Sequence, residues 1–234
     1  CAVLTKYFSC LSSMTVFLLF TTKLYICSGI SNMEQSSTER SIIWLESTDS
    51  TNAELRRRLD QSGHLSIIAT EMQSAGRGQG DHVWHSAPGL NLTFSIAYKG
   101  YGIKASDALL VTCVTTLGIR DYLLSHGVEA RIKWPNDIWV GDRKICGILI
   151  ENRLESSEIL WSIVGIGLNL NETDWPSDLP NPVSLKELTN STYSIDSELL
   201  ELWKHICRRC GQLCTEDGRM SLQEEFGKYV FRLP

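Results

Sequence analysis

Between residues 131 and 151 three short strand candidates, 131–134, 137–140 and 144–151, follow one another closely, and the last two are joined through Gly141-Asp142. A two-residue connection of this kind is a hairpin signal, because its positions need backbone angles that glycine and aspartate accept. The chain therefore doubles back here, as antiparallel strands do and as strands joined by helical crossovers do not. Two more strand patterns frame the hairpins. Residues 160–170 form an apolar run with a glycine-rich exit, and over 91–98 the residues Leu92, Phe94, Ile96 and Tyr98 alternate as in a half-buried strand. Nearer the start, 42–45 is a short strand candidate and 65–70 reads as a buried strand, followed by a polar, glycine-rich loop over 74–88.

Helix signals flank these strands. Thr51 with Glu54 three residues later is a capping-box pattern, continued by an apolar stripe of Leu55 and Leu59. Residues 105–126 carry helical periodicity and stop at Gly127. Beyond Asp174 the chain is interrupted by prolines, then helical from about Ile195 to its end. Hairpins in the middle with helices on both sides predict an α+β fold, a mostly antiparallel mixed sheet with helices packed on it, rather than a doubly wound nucleotide fold.

A length of 234 residues suffices for one substantial domain, and 43% hydrophobic with 21% charged residues is ordinary for a soluble globular chain. The net charge of −5 offers no general attraction to nucleic acid or to an anionic membrane, so neither is an expected partner. Residues 1–40 differ from the rest: they begin at Cys1 without Met, and a short apolar stretch from Met14 to Phe20 lies between Lys6 and Lys23. That stretch is too short and too interrupted for a membrane span. It reads either as a signal peptide or, preferably, as sequence upstream of a start at Met33, leaving residues 41–234 as the folded domain.

Of eight cysteines, Cys113 and Cys146 stand singly in apolar stretches, as small core hydrophobes do. Cys207, Cys210 and Cys214 have the spacing of a metal or redox motif. However, i, i+3, i+7 is also one helix face, and Leu199, Leu200, Trp203, Ile206 and Leu213 continue it with no fourth ligand nearby. The core face is the preferred interpretation, and a reducing, cytoplasmic location follows.

Four segments carry chemistry. In Gly76-Arg77-Gly78-Gln79-Gly80-Asp81, three glycines let backbone N–H groups approach an anion, and Arg77 adds a planar cation suited to phosphate or carboxylate; the alternative is a plain flexible loop. The segment is neither a Walker loop, lacking the following Lys and Ser/Thr, nor a dinucleotide fingerprint, lacking a helix behind it. In Lys133-Trp134-Pro135-Asn136-Asp137, a lysine at a strand end before a proline-fixed turn is aimed at one place, where it can neutralise a reacting carboxylate or phosphate. Asn136 and Asp137 add hydrogen bonds or a magnesium contact, unless this is merely an Asx turn. Gly165-Ile166-Gly167-Leu168-Asn169 suggests close approach to a ligand, or a bulge at a strand exit. Ser50-Thr51-Asn52 opens a helix and either grips a polar head group or only caps.

Taken in order, these segments, together with Gln73, Trp84, Asn91-Leu92, Lys144 and Gly147-Ile148-Leu149-Ile150-Glu151, resemble the catalytic domain of biotin–protein ligases over about residues 42–171. The resemblance implies an enzyme that condenses biotin and ATP, with Mg²⁺, to biotinyl-5′-adenylate. The biotinyl group then passes to a lysine of a biotin carboxyl carrier protein or domain. It implies that Ser50, Thr51, Asn52 and Gln73 grip the ureido head, with Gly147, Gly165 and Gly167 also contacting biotin. Arg77, Gly78 and Gln79 would fold over the adenylate, and Lys133 would contact the activated carboxyl and phosphate, making Lys133 and Arg77 the catalytic pair. Trp84, Asn136, Lys144 and Asn169, with Arg77, would hold the nucleotide, and Mg²⁺ would arrive with ATP, near Asp137. The protein would act as a monomer or a homodimer.

The sequence departs from the family pattern where Gln79 replaces a frequent second arginine and Asp81 a glycine, which puts adenylate retention in question. No helix-turn-helix pattern precedes Ile42, so a repressor role is not expected, and the small β-barrel that often follows the catalytic domain is expected to be either absent or truncated. The rival readings are a lipoate- or octanoate-transferring ligase of the same fold and a non-catalytic biotin-binding module.

Overall fold

The computed structural model describes residues 42–100 and 102–232; both readings of the leader fall outside them. Gly141 takes φ +60° and closes the hairpin between strands β5 (Asp137–Val140) and β6 (Arg143–Glu155). Strand β4 (Arg131–Lys133) pairs antiparallel with β5, and β6 runs antiparallel along β7 (Glu158–Leu168) from Cys146↔Leu168 to Glu155↔Glu158. The β6–β7 turn holds Ser156 at φ +55°, a hairpin without glycine. Strands β1 (Ile42–Thr48), β2 (Ile67–Gln73), β3 (Leu92–Lys99) and β8 (Val230–Phe231) complete one sheet in the order β1-β2-β3-β7-β6-β5-β4-β8. Among the described strands only β1–β2 and β4–β8 pair in parallel, so the sheet is mixed and mostly antiparallel, as expected.

Helix α1 (Thr51–Arg57) lies on one face, where Leu55 and Leu59 meet Ile68, Ala97 and Ile163 in a small core. The main core lies on the other face. There α2 (Leu109–Ser125), α3 (Leu185–Thr189), α4 (Ile195–Gly211) and α5 (Glu216–Tyr229) cover the apolar side of the sheet, with Phe94, Ile132, Val164 and Leu168 at its centre. Helix α2 stops at Gly127, φ +75°, as its sequence indicates. Strand β3 alternates as expected, yet it is buried on both faces from Leu92 to Tyr98 rather than half-buried. Its polar side, Thr93 and Ser95, is roofed by α1 and by the cleft described below.

Two further expectations are corrected. Ser50, not Thr51, is the N-cap of α1; it makes no side-chain cap bond, and Glu54 binds Arg57 and Arg58 instead of reaching back. A capping box does form, at Ser184 and Glu187 before α3. The C-terminal stretch is not continuously helical: α4 ends at Gly211, and α5 gives way to β8, where β-branched Val230 and aromatic Phe231 pair with Ile132 and Lys133. Cys210 is buried on the α4 face with Trp203 and Ile206, and Cys207 packs against that core. Burial pushes the Cys207 and Cys113 thiols up to about 12, which disfavours the thiolates a metal would need.

Candidate functional site

The four segments singled out above converge on one cleft of about 300 Å³. Its polar wall is the start of α1, where Ser50, Thr51 and Asn52 are all buried. The Gln73 carbonyl accepts from the Thr51 N–H at 2.8 Å and faces its hydroxyl at 3.2 Å. Beneath them the wholly buried Ser95 shares its hydroxyl between Asn52 Oδ1, 2.6 Å away, and Thr51 Oγ1, at 2.7 Å. The Asn52 amide donates to Glu151 Oε2 at 2.8 Å. The amide and hydroxyl dipoles of this wall are thus oriented before any ligand arrives. Ser95 and Glu151 were not assigned roles from sequence; the only mark of Ser95 was a serine on the polar side of an apolar strand.

The glycine-rich segment is folded rather than open. Gly78 N donates to His82 O at 2.7 Å and Trp84 N to Gly76 O at 3.1 Å, with Gly80 at φ +64° near the tip. This small hairpin brings the exposed Arg77 to Glu151, 3.2 Å away, which Arg56 also reaches at 2.6 Å. Gln79 lines the rim. Farther along, Glu172 pins the outgoing end of the segment: buried to 1% exposure, it accepts from Ala87 N at 3.2 Å and meets His85 Nε2 at 3.0 Å, with Asn91 as third partner. No motif marked it.

The strand glycines serve the protein's own side chains. A Cβ at Gly165 would run into the Asn52 amide, and one at Gly147 or Gly167 into the Trp84 indole, which reaches over both. All three still line the cleft. In this structure Trp84 occupies the space over Gly147 and Gly167, and Asn52 that over Gly165.

At the opposite wall Lys133 ends β4, with its Nζ 4.4 Å from the centre of the Trp139 ring. Its strand is braced by the bond from Trp134 N to Phe231 O at 2.8 Å, and the Trp134-Pro135 peptide is cis. Asn136 lines the cleft but is tied to β6 through both its backbone and its amide, the latter donating to Ile148 O at 3.1 Å. Lys144 pairs with Asp137 at 2.7 Å and stands 5.5 Å from the Trp84 ring. Asn169 is not among the residues lining the cleft: buried, it donates to Val183 O at 3.0 Å and Lys144 O at 3.3 Å. Among the lining residues Asp137 is the one carboxylate, and it is already neutralised by Lys144. One paired carboxylate does not make a protein-held Mg²⁺ site.

A polar wall facing Arg77, Lys133 and Lys144 suits a ligand with a neutral hydrogen-bonding head and an anionic, reactive end. The model of the biotin/lipoate A/B protein ligase family matches residues 44–169. A bifunctional ligase/repressor BirA of Bacillus subtilis is 31% identical over 160 residues, covering 67% of this chain and 46% of that protein. A biotin–[acetyl-CoA-carboxylase] ligase of Paracoccus denitrificans is 38% identical over 130 residues, 54% of this chain and 53% of its own length. The chain thus spans about half the length of these relatives. Among solved structures, a biotin protein ligase from Aquifex aeolicus in complex with biotin and ATP superposes with a TM-score of 0.67 at 23% identity, covering 81% of this chain and 78% of that one. One from Leishmania major in complex with biotinyl-5-AMP gives 0.67 at 23%, covering 81% of each chain.

Proposed function

This chain belongs to the biotin/lipoate A/B protein ligase family, and on that premise we propose that it activates biotin with ATP and transfers it to a lysine of a biotin carboxyl carrier protein. A biotin carboxylate oxygen attacks the α-phosphorus, the bond to pyrophosphate breaks, and biotinyl-5′-adenylate forms. The acceptor amine then attacks the acyl carbon, AMP leaves and the amine proton passes to solvent. The observation that carries the proposal is the convergence of the preset Ser50–Thr51–Asn52–Gln73 wall with Arg77 and Lys133 on one cleft.

In this assignment the wall takes the ureido head, with Gly147 and Gly165 as its floor. Lys133 and Arg77 offset charge on the carboxylate and phosphate as they react, and the Arg77–Gln79 hairpin shields the adenylate from water. Trp84 offers the adenine a face, and Lys144 serves the phosphates once Asp137 releases it. Magnesium would come bound to the nucleotide phosphates, and no residue here is assigned to it. The chain is proposed to act as a monomer or a homodimer. The buried Cys113, Cys146 and Cys210 and the partly buried Cys207 are in no disulfide, which suits a cytoplasmic location.

The test is pyrophosphate exchange into ATP with the purified chain. Exchange that requires biotin supports the proposal. Exchange that requires lipoate or octanoate instead moves the chain to the other branch of its family, and biotin binding without exchange makes it a non-catalytic module.

A further inference from the structure

We infer that Trp139 is a positioning residue for Lys133, holding its ammonium on the indole face so that the cation meets the reacting anion uncommitted to any carboxylate. The inference rests on the function proposed above and concerns the same site. In the β4–β5 ladder Lys133 stands opposite Asp137 and Arg131 opposite Trp139, so all four side chains share one face, and Lys133 reaches diagonally to Trp139. The Nζ lies 4.4 Å from the ring centre, inside the range of about 6 Å over which a ring quadrupole attracts a cation.

The partner Lys133 would ordinarily have is taken. Asp137, directly across the ladder, is held by Lys144 at 2.7 Å, and Arg77 is held by Glu151. Among the described residues Lys133 makes no ion pair, which sets it apart from the other two cations of the cleft. A carboxylate partner would cancel much of its field at the moment charge develops on the substrate. An aromatic face orients the ammonium and leaves its net charge intact. The indole is itself fixed: it is 8% exposed, and Phe231 of β8 meets it edge to face at 6.4 Å. Its Nε1 is buried with no hydrogen-bond partner among the described residues, so what this position offers Lys133 is the ring.

The test replaces Trp139 in the full chain, at that position alone, by mono-, di- and trifluorotryptophan, which keep the shape and drain the π face. Biotin-dependent pyrophosphate exchange and the thermal midpoint are then measured. The expected result is a stepwise fall in kcat, roughly 3- to 10-fold by the trifluoro form for a partly desolvated cation–π contact, with KM for biotin and the midpoint unchanged. Trp139→Tyr should keep most of the activity, and Trp139→Leu should lose it as the trifluoro form does. A flat series in an active enzyme overturns the inference. If the unmodified chain shows no exchange, it is the proposed function that fails. The NMR shift of the Lys133 ε-methylene then decides the contact: a ring-current displacement that vanishes in Trp139→Leu supports it, and an undisplaced signal overturns it.

Discussion

The indole of Trp84 lies directly over Gly167, in the space that any β-carbon there would occupy. Gly167→Ala should therefore lift Trp84 off the sheet. Trp84 sits on a half-buried surface segment, so the fold should tolerate the shift. Loss of the aromatic face proposed for adenine should raise KM for ATP about 3- to 10-fold, the range of one aromatic contact. Exchange kinetics at varied ATP check this; an unchanged KM would remove Trp84 from nucleotide binding.

Lys133→Ala should lower adenylate formation by about 10² to 10³-fold, as expected for one preorganised electrostatic group. Circular dichroism should stay native, because Lys133 ends its strand and makes no ion pair among the described residues. Single-turnover assays that detect biotinyl-adenylate would show the loss, and wild-type turnover would exclude Lys133 from the mechanism.

Arg77→Ala breaks the link from the small hairpin to Glu151 at 3.2 Å. The intermediate should then escape, seen as biotin on lysines of a bystander protein mixed into the assay. Labelling confined to the acceptor would argue against a shielding role.

Gly118→Ala should destabilise the fold although alanine is the better helix former. The new Cβ would come within 2.8 Å of the Ile206 Cα on α4, a backbone atom that cannot swing aside. Overpacking of this kind costs about 1–3 kcal/mol, more than the propensity gain of about 1 kcal/mol. A net loss of up to about 2 kcal/mol should lower the thermal midpoint by up to roughly 8 °C.

His64 gives the stability a pH dependence. Its Nδ1 accepts from Lys99 N at 3.1 Å, and burial, with the Lys99 charge second, pulls its pKa from 6.5 down to about 4. Between those values the unfolded chain binds a proton that the native one refuses, so this contribution is whole above pH 6.5 and is lost as pH falls towards 4. His64→Gln, which keeps an acceptor, should flatten the midpoint-against-pH curve in that window. Parallel curves for the two proteins would contradict it.

Local backbone demands were legible in the sequence, and contacts between distant segments were not. Gly141 and Gly127 announce a turn and a helix stop because positive φ selects glycine, whereas Ser156 makes the same kind of turn at φ +55° and leaves no mark. Arg77, Lys133 and Asn52 could be found because a family pattern runs through them. Ser95 and Glu172 could not, since a buried serine or glutamate acquires its role only from what folding places beside it. The partners of the Asn169 amide were hidden for the same reason: Val183 and Lys144 come beside it only in the fold.

Strand β8 was invisible for a related reason, being only two residues long and paired with a strand far earlier in the chain. That pairing also orders events in time. As the polypeptide leaves the ribosome, β4 stays a raw sheet margin until translation has passed Phe231, and such long-range parallel closure comes late in folding. A nascent or clipped polypeptide missing Val230 and Phe231 would keep nearly all of its apolar interior. It would nonetheless carry Lys133 on a fraying strand, shaped like the finished protein but without its tool in place.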